Sequence, residues 1–165
     1  MEPGAIPLLL KLLLLLTIAN GAPLLAKKIW GGALAQPLDA GMRFVDRRPL
    51  FGPTKTVRGV LVSVTATAVA APLVGIAWWL GALIGATAMA GDLFSSFIKR
   101  RLNRPPSSRA LGLDHIPESL LPLVACRDAL MLTMADIGIV VGAFFAGAVV
   151  LSRLLYRVGL RDQPH

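Results

Sequence analysis

The sequence predicts an all-α integral membrane protein with five transmembrane helices that form a single domain over residues 1–165. Hydrophobic residues make up 55% of the chain, and its mean hydropathy is +0.69. An ordinary soluble domain is only about 45–50% apolar. Five apolar runs each approach the roughly 20 residues that a helix needs to cross a bilayer. Most of the 17 Lys and Arg residues lie between these runs, as in the loops of a membrane protein.

The first apolar run covers about residues 5–26 and is followed by Lys27 and Lys28. A cleaved signal peptide is the alternative, because the sequence IANGA near its end resembles a cleavage site. Against it, Glu2 stands where a signal peptide has basic residues, and Lys11 interrupts the apolar stretch. These features favour a transmembrane helix whose N-terminus lies outside the cell.

The second and third helices are predicted from one continuous apolar run, Val57 to Ile98. As a single helix this run would be about 60 Å long, twice the thickness of the hydrocarbon core. It must therefore fold back, and Pro72–Gly75 is the expected turn. Two glycines four residues apart, Gly81 and Gly85, permit close contact with a neighbouring helix. The predicted helices cover about 57–75 and 76–98.

The last two helices are predicted over about 117–134 and 137–157. Pro117 is expected at the first position of the fourth helix, where its missing N–H has no hydrogen bond to lose. Arg127 and Asp128 interrupt the apolar pattern of this helix, and they fall on the outer side, where no catalytic role is expected.

The distribution of cations predicts the orientation. The loop between the first two helices carries seven Lys and Arg residues, the loop between the third and fourth carries five, and the C-terminal tail carries three. The turn near Pro72 carries none. By the positive-inside rule, both basic loops and the C-terminus are cytoplasmic. Since no soluble domain remains outside the helices, any chemistry is expected at the cytoplasmic face of the cell membrane.

The formal net charge of +8 points to anionic partners. Because the cations flank apolar runs, lipid headgroups or phosphate substrates are expected rather than nucleic acid. The single Cys126 excludes an intramolecular disulfide and a multi-cysteine metal site.

The third helix carries a polar stripe at its cytoplasmic end. Asp92, Ser96 and Lys99 follow the spacing i, i+4, i+7, and Ser95 lies on the same side. An ionisable residue about 10 Å below the helix end usually faces the interior of a bundle or a wet cavity. The alternative is that Asp92 pairs with Lys99 at the membrane interface.

A second polar cluster surrounds the start of the fourth helix. Asp114 and Glu118 are four residues apart, and one of these carboxylates could share a divalent cation with Asp92. Mg²⁺ is usually held by one or two carboxylates together with substrate phosphates. The alternative is helix capping by Asp114 or His115, with Glu118 in the first turn complementing the helix dipole.

Lys55 and Arg58 stand at the predicted start of the second helix, where the helix dipole disfavours cations. This placement becomes favourable if a polyanion binds between them and the helix. The sequence GPTKT is not a P-loop, because that motif needs a glycine before the lysine. An ordinary cytoplasmic basic loop is the alternative. Asn20, late in the first helix, either needs a polar partner or joins helices.

These residues lie in segments that resemble the CDP-archaeol synthase family, a relative of the CDP-diacylglycerol synthases. The resemblance covers nearly the whole chain and implies five transmembrane helices and a cytidylyltransferase reaction. In that reaction a lipid phosphate attacks the α-phosphorus of CTP and pyrophosphate leaves, with Mg²⁺ as cofactor. The segments are AN at 19–20, PLDAGMRFVDRRPLFGPTKTVRG at 37–59, GDLFSSFIKRR at 91–101, SSRALGLDHIPESLLP at 107–122 and LSRLLYRVGLRDQP at 151–164.

The resemblance also implies roles for individual residues. Asp92 and Asp114 would be the catalytic metal carboxylates, and Lys99 would act beside them. The remaining pocket residues would bind CTP or the lipid phosphate: Asn20, Lys55, Arg58, Ser95, Ser96, Arg100, Arg101 and Glu118. One departure is His115, where the family usually has Gln; a histidine can still bind phosphate or base, but it adds pH sensitivity.

Two other classes of protein stay open at this point. A small transporter or proton relay would use Asp92 as its intramembrane carboxylate. A non-catalytic lipid-binding membrane protein would use only the charge of the basic loops. The apolar residues do not distinguish ether-linked isoprenoid chains from ester-linked acyl chains, and nothing in the sequence indicates an oligomeric state.

Overall fold

The computed structural model describes residues 7–33, 35–105 and 111–157. This part of the chain is all-helical apart from its turns, loops and two isolated β-bridges. Residues 107–110 and 158–164 of the segments that carry the resemblance, and residues 5–6 of the predicted first helix, lie outside the described ranges. The helices are α1 (Leu8–Trp30), α2 (Val57–Leu73), α3 (Trp78–Arg101), α4 (Leu111–Ala125) and α5 (Met134–Arg157).

The predicted fold-back between the second and third helices is confirmed. The chain reverses between Leu73 and Trp78. Gly75 adopts a φ of +74°, a conformation that glycine adopts without steric cost. The amide of Ile76 donates to the carbonyl oxygen of Ala71 at 2.9 Å and closes the turn.

The predicted bounds of the fourth helix were wrong. The helix covers Leu111–Ala125, so Pro117 lies inside it rather than at its start, and Glu118 is in its middle. Proline in a helix interior removes one backbone hydrogen bond. For this reason Pro117 was predicted at the start of the helix, where no hydrogen bond is lost. Arg127 and Asp128 do not interrupt the helix, because they lie in the turn that follows it.

Helix α5 begins with reciprocal capping. The amide of Thr133 donates to a carboxylate oxygen of Asp136 at 2.9 Å, and the amide of Asp136 donates to the Thr133 hydroxyl at 3.1 Å. Each side chain thus satisfies an amide at the helix start. This cap begins α5 at Met134, close to the predicted 137.

Helix α3 packs between α2 and α4. The glycine pair predicted to allow close approach lies against α2: a Cβ atom at Gly81 would collide with the carbonyl oxygen of Thr67, and one at Gly85 with its hydroxyl. Such backbone proximity is typical of small residues at membrane helix interfaces. The Thr67 hydroxyl donates to the carbonyl oxygen of Ser63 at 2.8 Å, so its polar group is satisfied at the interface.

Within the described ranges, two helices, α1 and α3, are long and apolar enough to cross a membrane by length and composition. Helix α2 is apolar but has 17 residues, which gives it a length of about 25 Å. The buried core joins α1 to α3, α4 and α5 through closely packed aliphatic side chains. The largest of them are Leu12, Leu15, Leu16, Ile84, Leu123 and Val140.

The two basic loops meet at one end of the helical bundle. A guanidinium nitrogen of Arg48, in the α1–α2 loop, donates to the carbonyl oxygens of Arg100 and Arg101 at the end of α3. The Arg100 carbonyl oxygen also accepts from the amide of Asn103 at 3.2 Å, just after the helix, and the positive charge of Arg48 complements the helix dipole there. The α1–α2 loop is thereby anchored on the end of α3, next to the start of α4.

Candidate functional site

The candidate site begins where α3 and α4 touch through their backbones. A Cβ atom at Gly91 would collide with the carbonyl oxygen of Pro117 and would lie 2.7 Å from the Cα atom of Glu118. No side chain larger than hydrogen fits this contact without a backbone shift. Because Asp92 follows Gly91 directly, the contact brings its carboxylate close enough to Glu118 for the two charges to interact.

Asp92 forms an ion pair with Lys55 of the α1–α2 loop. The Lys55 ammonium lies 2.7 and 2.6 Å from the two carboxylate oxygens, and both side chains are about one-quarter exposed. The loop holds Lys55 in place by its backbone, since the amide of Leu38 donates to the Lys55 carbonyl oxygen at 2.7 Å. Thr56 then caps α2 by accepting from the amide of Gly59 at 3.1 Å.

Lys99 forms the second ion pair, with Asp114 of α4. The two side chains are 2.5 Å apart, and that of Lys99 is only 9% exposed. The alternative interpretation of the α3 stripe was an ion pair between Asp92 and Lys99. In the structure each of these residues instead pairs with a residue outside α3. Four of the predicted site residues are therefore arranged as two lysine–carboxylate contacts at the same end of the bundle.

Glu118 is buried and contacts His115, with 2.8 Å between a carboxylate oxygen and Nδ1. The imidazole of His115 also lies edge-on to the aromatic rings of Phe144 and Phe145 in α5. The prediction that Glu118 complements the dipole in the first turn of α4 was wrong. Asp114 occupies that turn instead, and Glu118 lies deeper, beside Asp92.

Arg100 is buried near the end of α3. One terminal nitrogen donates to the carbonyl oxygen of Pro105 at 2.9 Å. Within the described residues, its Nε and its other terminal nitrogen have no hydrogen-bond partner. Buried donors are nearly always paired, so a guanidinium with two unpaired N–H-bearing nitrogens is a candidate anion-binding group.

Arg101, also predicted to bind substrate, resembles Arg100 in that its Nε and one terminal nitrogen make no hydrogen bond of normal geometry to the described residues, but it makes additional contacts with the α1–α2 loop. Its guanidinium lies 5.0 and 4.6 Å from the ring centres of Phe44 and Phe97. Its Nε is 2.9 Å from a carboxylate oxygen of Asp46, and a terminal nitrogen donates to the Pro49 carbonyl oxygen at 2.6 Å. Three of these four partners belong to the α1–α2 loop, so the contacts attach this loop to α3.

The structure places other predicted residues within or between helices. Arg58 is buried and donates to the carbonyl oxygens of Ala33 and of Gly31, the latter at 3.1 Å. The Asn20 amide donates to the carbonyl oxygen of Leu16 in its own helix at 2.9 Å.

Both α3 serines are also buried. The Ser95 hydroxyl donates to the carbonyl oxygen of Gly91 at 2.8 Å. Ser96 lies one position from it on the same helix, with 2% of its surface exposed.

Asp39 was not predicted from the sequence, yet it organises the α1–α2 loop. Its carboxylate accepts from the amides of Gly41, Phe51 and Gly52 at 3.0, 3.0 and 2.9 Å. Burial raises the pKa of Asp39, but these hydrogen bonds lower it and prevail, so its pKa lies below the ordinary value. The spacing of Asp39 and Gly41 is that of an Asx turn, which is the signal that could have identified it.

The side chains at this end of the bundle are of the types that could hold a phosphate group and a metal ion. Among the described residues no three His, Cys, Asp or Glu side chains are grouped as metal ligands. Asp92 and Asp114 could supply one or two oxygen ligands to Mg²⁺, an ion that takes its remaining ligands from water and substrate phosphates. Lysines and a buried arginine beside them are the groups that stabilise charge in phosphoryl-type transfer.

Comparison with known proteins gives a consistent result. The family described as CarS-like, CDP-archaeol synthase, matches residues 5–165 of the chain. The chain is 38% identical over 119 residues to the CDP-archaeol synthase of Saccharolobus islandicus, covering 68% of both chains. It is 32% identical over 155 residues to that of Sulfurisphaera tokodaii, covering 89% of both.

A solved structure is also similar. It is described as an intramembrane enzyme for archaeal membrane lipids biosynthesis, and it superposes on this chain with a TM-score of 0.74 at 28% sequence identity. The superposition covers 86% of this chain and 90% of the other. The likeness therefore includes most of the chain.

Proposed function

The chain belongs to the CDP-archaeol synthase family, and from this premise we propose how its residues form a CDP-lipid from CTP. It is an integral membrane enzyme of lipid biosynthesis that makes the CDP-lipid in a CTP-dependent reaction. The reaction we propose for the site is attack of a lipid phosphate oxygen on the α-phosphorus of CTP. A new P–O bond forms to the cytidylyl group, and the bond to the β-phosphate breaks with its electron pair leaving on pyrophosphate.

The observation that carries this proposal is the pair of lysine–carboxylate contacts, Lys55–Asp92 and Lys99–Asp114, at one end of the bundle. Carboxylates supply oxygen ligands for a divalent metal, and the lysines supply cations for a triphosphate. Both are needed where charge develops on transferring phosphate oxygens. Arg100 adds a buried guanidinium with unpaired donors.

We propose Asp92 and Asp114 as the residues that hold Mg²⁺. Their donor atoms are the hard oxygens that this ion prefers. The bound ion would neutralise negative charge on the phosphates of CTP. Glu118, buried beside Asp92 and in contact with His115, would line the site without being a direct ligand.

We propose that the phosphates of the substrates bind to the cationic side chains at the end of the bundle that carries the two ion pairs. Lys55 and Lys99 would contact the triphosphate once they leave their carboxylates, and Arg100 would take a further phosphate oxygen with its two free donors. Arg58 and Arg101 would support the site by fixing the α1–α2 loop, since each donates to a carbonyl oxygen of that loop. Asn20, Ser95 and Ser96 would shape the wall of the pocket rather than bind phosphate directly.

The orientation follows from charge. Both basic loops lie at the end that carries the site, and the positive-inside rule puts such loops in the cytoplasm, where CTP is made. We therefore propose that all five helices cross the membrane as one domain over residues 1–165, with the N-terminus outside and the site at the cytoplasmic face. A lipid with its chains in the bilayer would then present its phosphate at the depth of Lys99 and Arg100.

The test is turnover by the purified protein. Labelled CTP and Mg²⁺ are supplied with archaeol-type phosphate, phosphatidic acid or an isoprenoid phosphate, each in the same detergent. We expect labelled CDP-lipid with archaeol-type phosphate as the preferred acceptor. Absence of product with every acceptor would contradict the proposed reaction, and product that does not increase with Mg²⁺ would contradict the metal assignment.

A further inference from the structure

We propose that Lys55 and Lys99 exchange partners during binding: the metal ion takes over Asp92 and Asp114, and the nucleotide triphosphate takes over the two lysines. Metal and nucleotide would then bind this protein as a coupled pair, and each alone would bind weakly. The inference rests on the proposed function, because it takes these acids as the metal ligands and these lysines as phosphate-binding groups.

Lys55 and a bound metal ion would compete for the carboxylate of Asp92. The Lys55 ammonium contacts both carboxylate oxygens, at 2.7 and 2.6 Å. A metal ion bound to this carboxylate would need at least one of the same oxygens. Its two positive charges would then repel the ammonium of Lys55. Occupation of Asp92 by the metal and by Lys55 is therefore mutually unfavourable.

Lys99 is mostly buried where it pairs with Asp114. Its side chain is 9% exposed and its ammonium lies 2.5 Å from Asp114. Separating the charges of a mostly buried ion pair is strongly unfavourable. A metal that bound Asp114 alone would take this carboxylate from Lys99, whereas a triphosphate that arrived with the metal would give Lys99 a new anionic partner.

Nucleotide without metal meets the opposite difficulty. A triphosphate that drew Lys55 and Lys99 away would leave Asp92 and Asp114 unneutralised beside its own negative charge, with the buried Glu118 acting on Asp92 as well. Bound together, metal and nucleotide satisfy all four side chains. By thermodynamic linkage, each then raises the affinity for the other by the same factor.

The experiment measures Mn²⁺ binding without nucleotide, by the loss of the free-ion electron paramagnetic resonance signal. The protein is the full chain in detergent, compared as wild type, Lys55→Gln and Lys55→Arg. We expect Lys55→Gln to bind Mn²⁺ up to about fivefold more tightly, the factor expected for a partly exposed ion pair. Lys55→Arg keeps the competing charge and is expected to show no such gain.

Two further variants locate the effect. Asp92→Asn in the Lys55→Gln background should abolish the gain, because the released ligand is gone. Lys11→Gln is the matched control, since the ammonium of Lys11 lies near Gly75 at the α2–α3 turn, at the other end of α3 from the site. Mn²⁺ affinity that is unchanged or lower in Lys55→Gln would overturn the exchange of partners.

Lys99→Gln carries the same test to Asp114, with the monodisperse elution of each variant as the check on folding. Failure of this inference and failure of the proposed function give different results. Wild-type protein that makes CDP-lipid while neither lysine variant gains Mn²⁺ affinity keeps the function and removes the exchange. A gain in Mn²⁺ affinity with no CDP-lipid from any acceptor supports the exchange and removes the proposed reaction.

Discussion

The ammonium of Lys55 lies within 2.7 Å of both carboxylate oxygens of Asp92, and these residues come from different elements, the α1–α2 loop and α3. An acid near the end of a membrane helix is thus neutralised by a loop rather than by its own helix. Removing the charge of Asp92 should test catalysis separately from folding. The Lys55 side chain is partly exposed, so its ammonium can be solvated by water when the carboxylate is gone.

We expect Asp92→Asn to lower the rate of CDP-lipid formation by about 100-fold or more, since one electrostatic group at the reacting phosphate is typically worth that much. The melting temperature in detergent should change little. Asp128→Asn is the matched control, because Asp128 is exposed in the turn after α4 and its variant should retain full activity. A fully active Asp92→Asn protein would contradict the proposed role.

Arg100→Gln should raise the KM of the phosphate substrate that this residue holds by about tenfold or more, as expected for a lost hydrogen bond to a charged group. The unpaired donors of the buried guanidinium are the reason. The KM values for CTP and for the lipid are measured separately, which identifies the substrate. Arg127→Gln, in the exposed turn after α4, is the control, and unchanged KM values for both substrates would count against a role of Arg100 in binding.

Arg101→Gln should act on stability instead. The side chain contacts two aromatic rings, Asp46 and the Pro49 carbonyl, so its loss should reduce the free energy of unfolding by about 1–3 kcal/mol. Thermal unfolding in detergent measures the change, while KM for CTP at low temperature should stay the same. A raised KM with unaltered thermal unfolding would return Arg101 to the substrate-binding residues.

Gly91→Ala should destabilise the α3–α4 contact. The added Cβ would meet the backbone at Pro117 and Glu118, which cannot move aside as a side chain could, and such overpacking typically costs about 1–3 kcal/mol. Activity should fall as well, because Asp92 and Glu118 move apart. Gly138→Ala is the control, since nothing lies within 4 Å of its added Cβ; equal melting temperatures for the two variants would contradict the tight contact.

The α1–α2 loop should loosen in acid. The pKa of Asp39 lies below its ordinary value in the folded protein, so the carboxylate stabilises the fold above the ordinary value of about 4, and this contribution is lost as the pH falls through the folded pKa. Melting temperatures measured from pH 7 down to pH 3 should therefore fall less steeply in Asp39→Asn than in the wild type. Parallel curves for the two proteins would show that Asp39 does not carry the effect.

Apolar patterning predicted most of the fold. The length of the run from Val57 to Ile98, too great for one crossing, was enough to predict the reversal that Gly75 closes. The start of α4 could not be predicted this way. Proline usually marks a helix boundary, but Pro117 lies inside α4, where its carbonyl oxygen packs against Gly91 of α3.

The composition of the candidate site was predictable, but its pairing was not. Helical spacing puts Asp92 and Lys99 on one stripe, and it therefore suggested that they bind each other. The observed partners, Lys55 and Asp114, come from a loop and a helix whose positions depend on tertiary contacts. Arg101 was assigned to substrate by its position in a basic run, although Phe44, distant in sequence, determines its surroundings.

The backbone contact at Gly91 also fixes α4 against α3 at one point along its length. If α4 tilts about this point, each residue moves in proportion to its distance from it. Asp114, one turn from Glu118, is about 6 Å away along the axis, and Ala125 at the far end is about 10 Å away. Changes in bilayer thickness that tilt the helix would therefore displace its outer end more than its acidic end, so the spacing of the charged groups is partly insulated from the membrane around them.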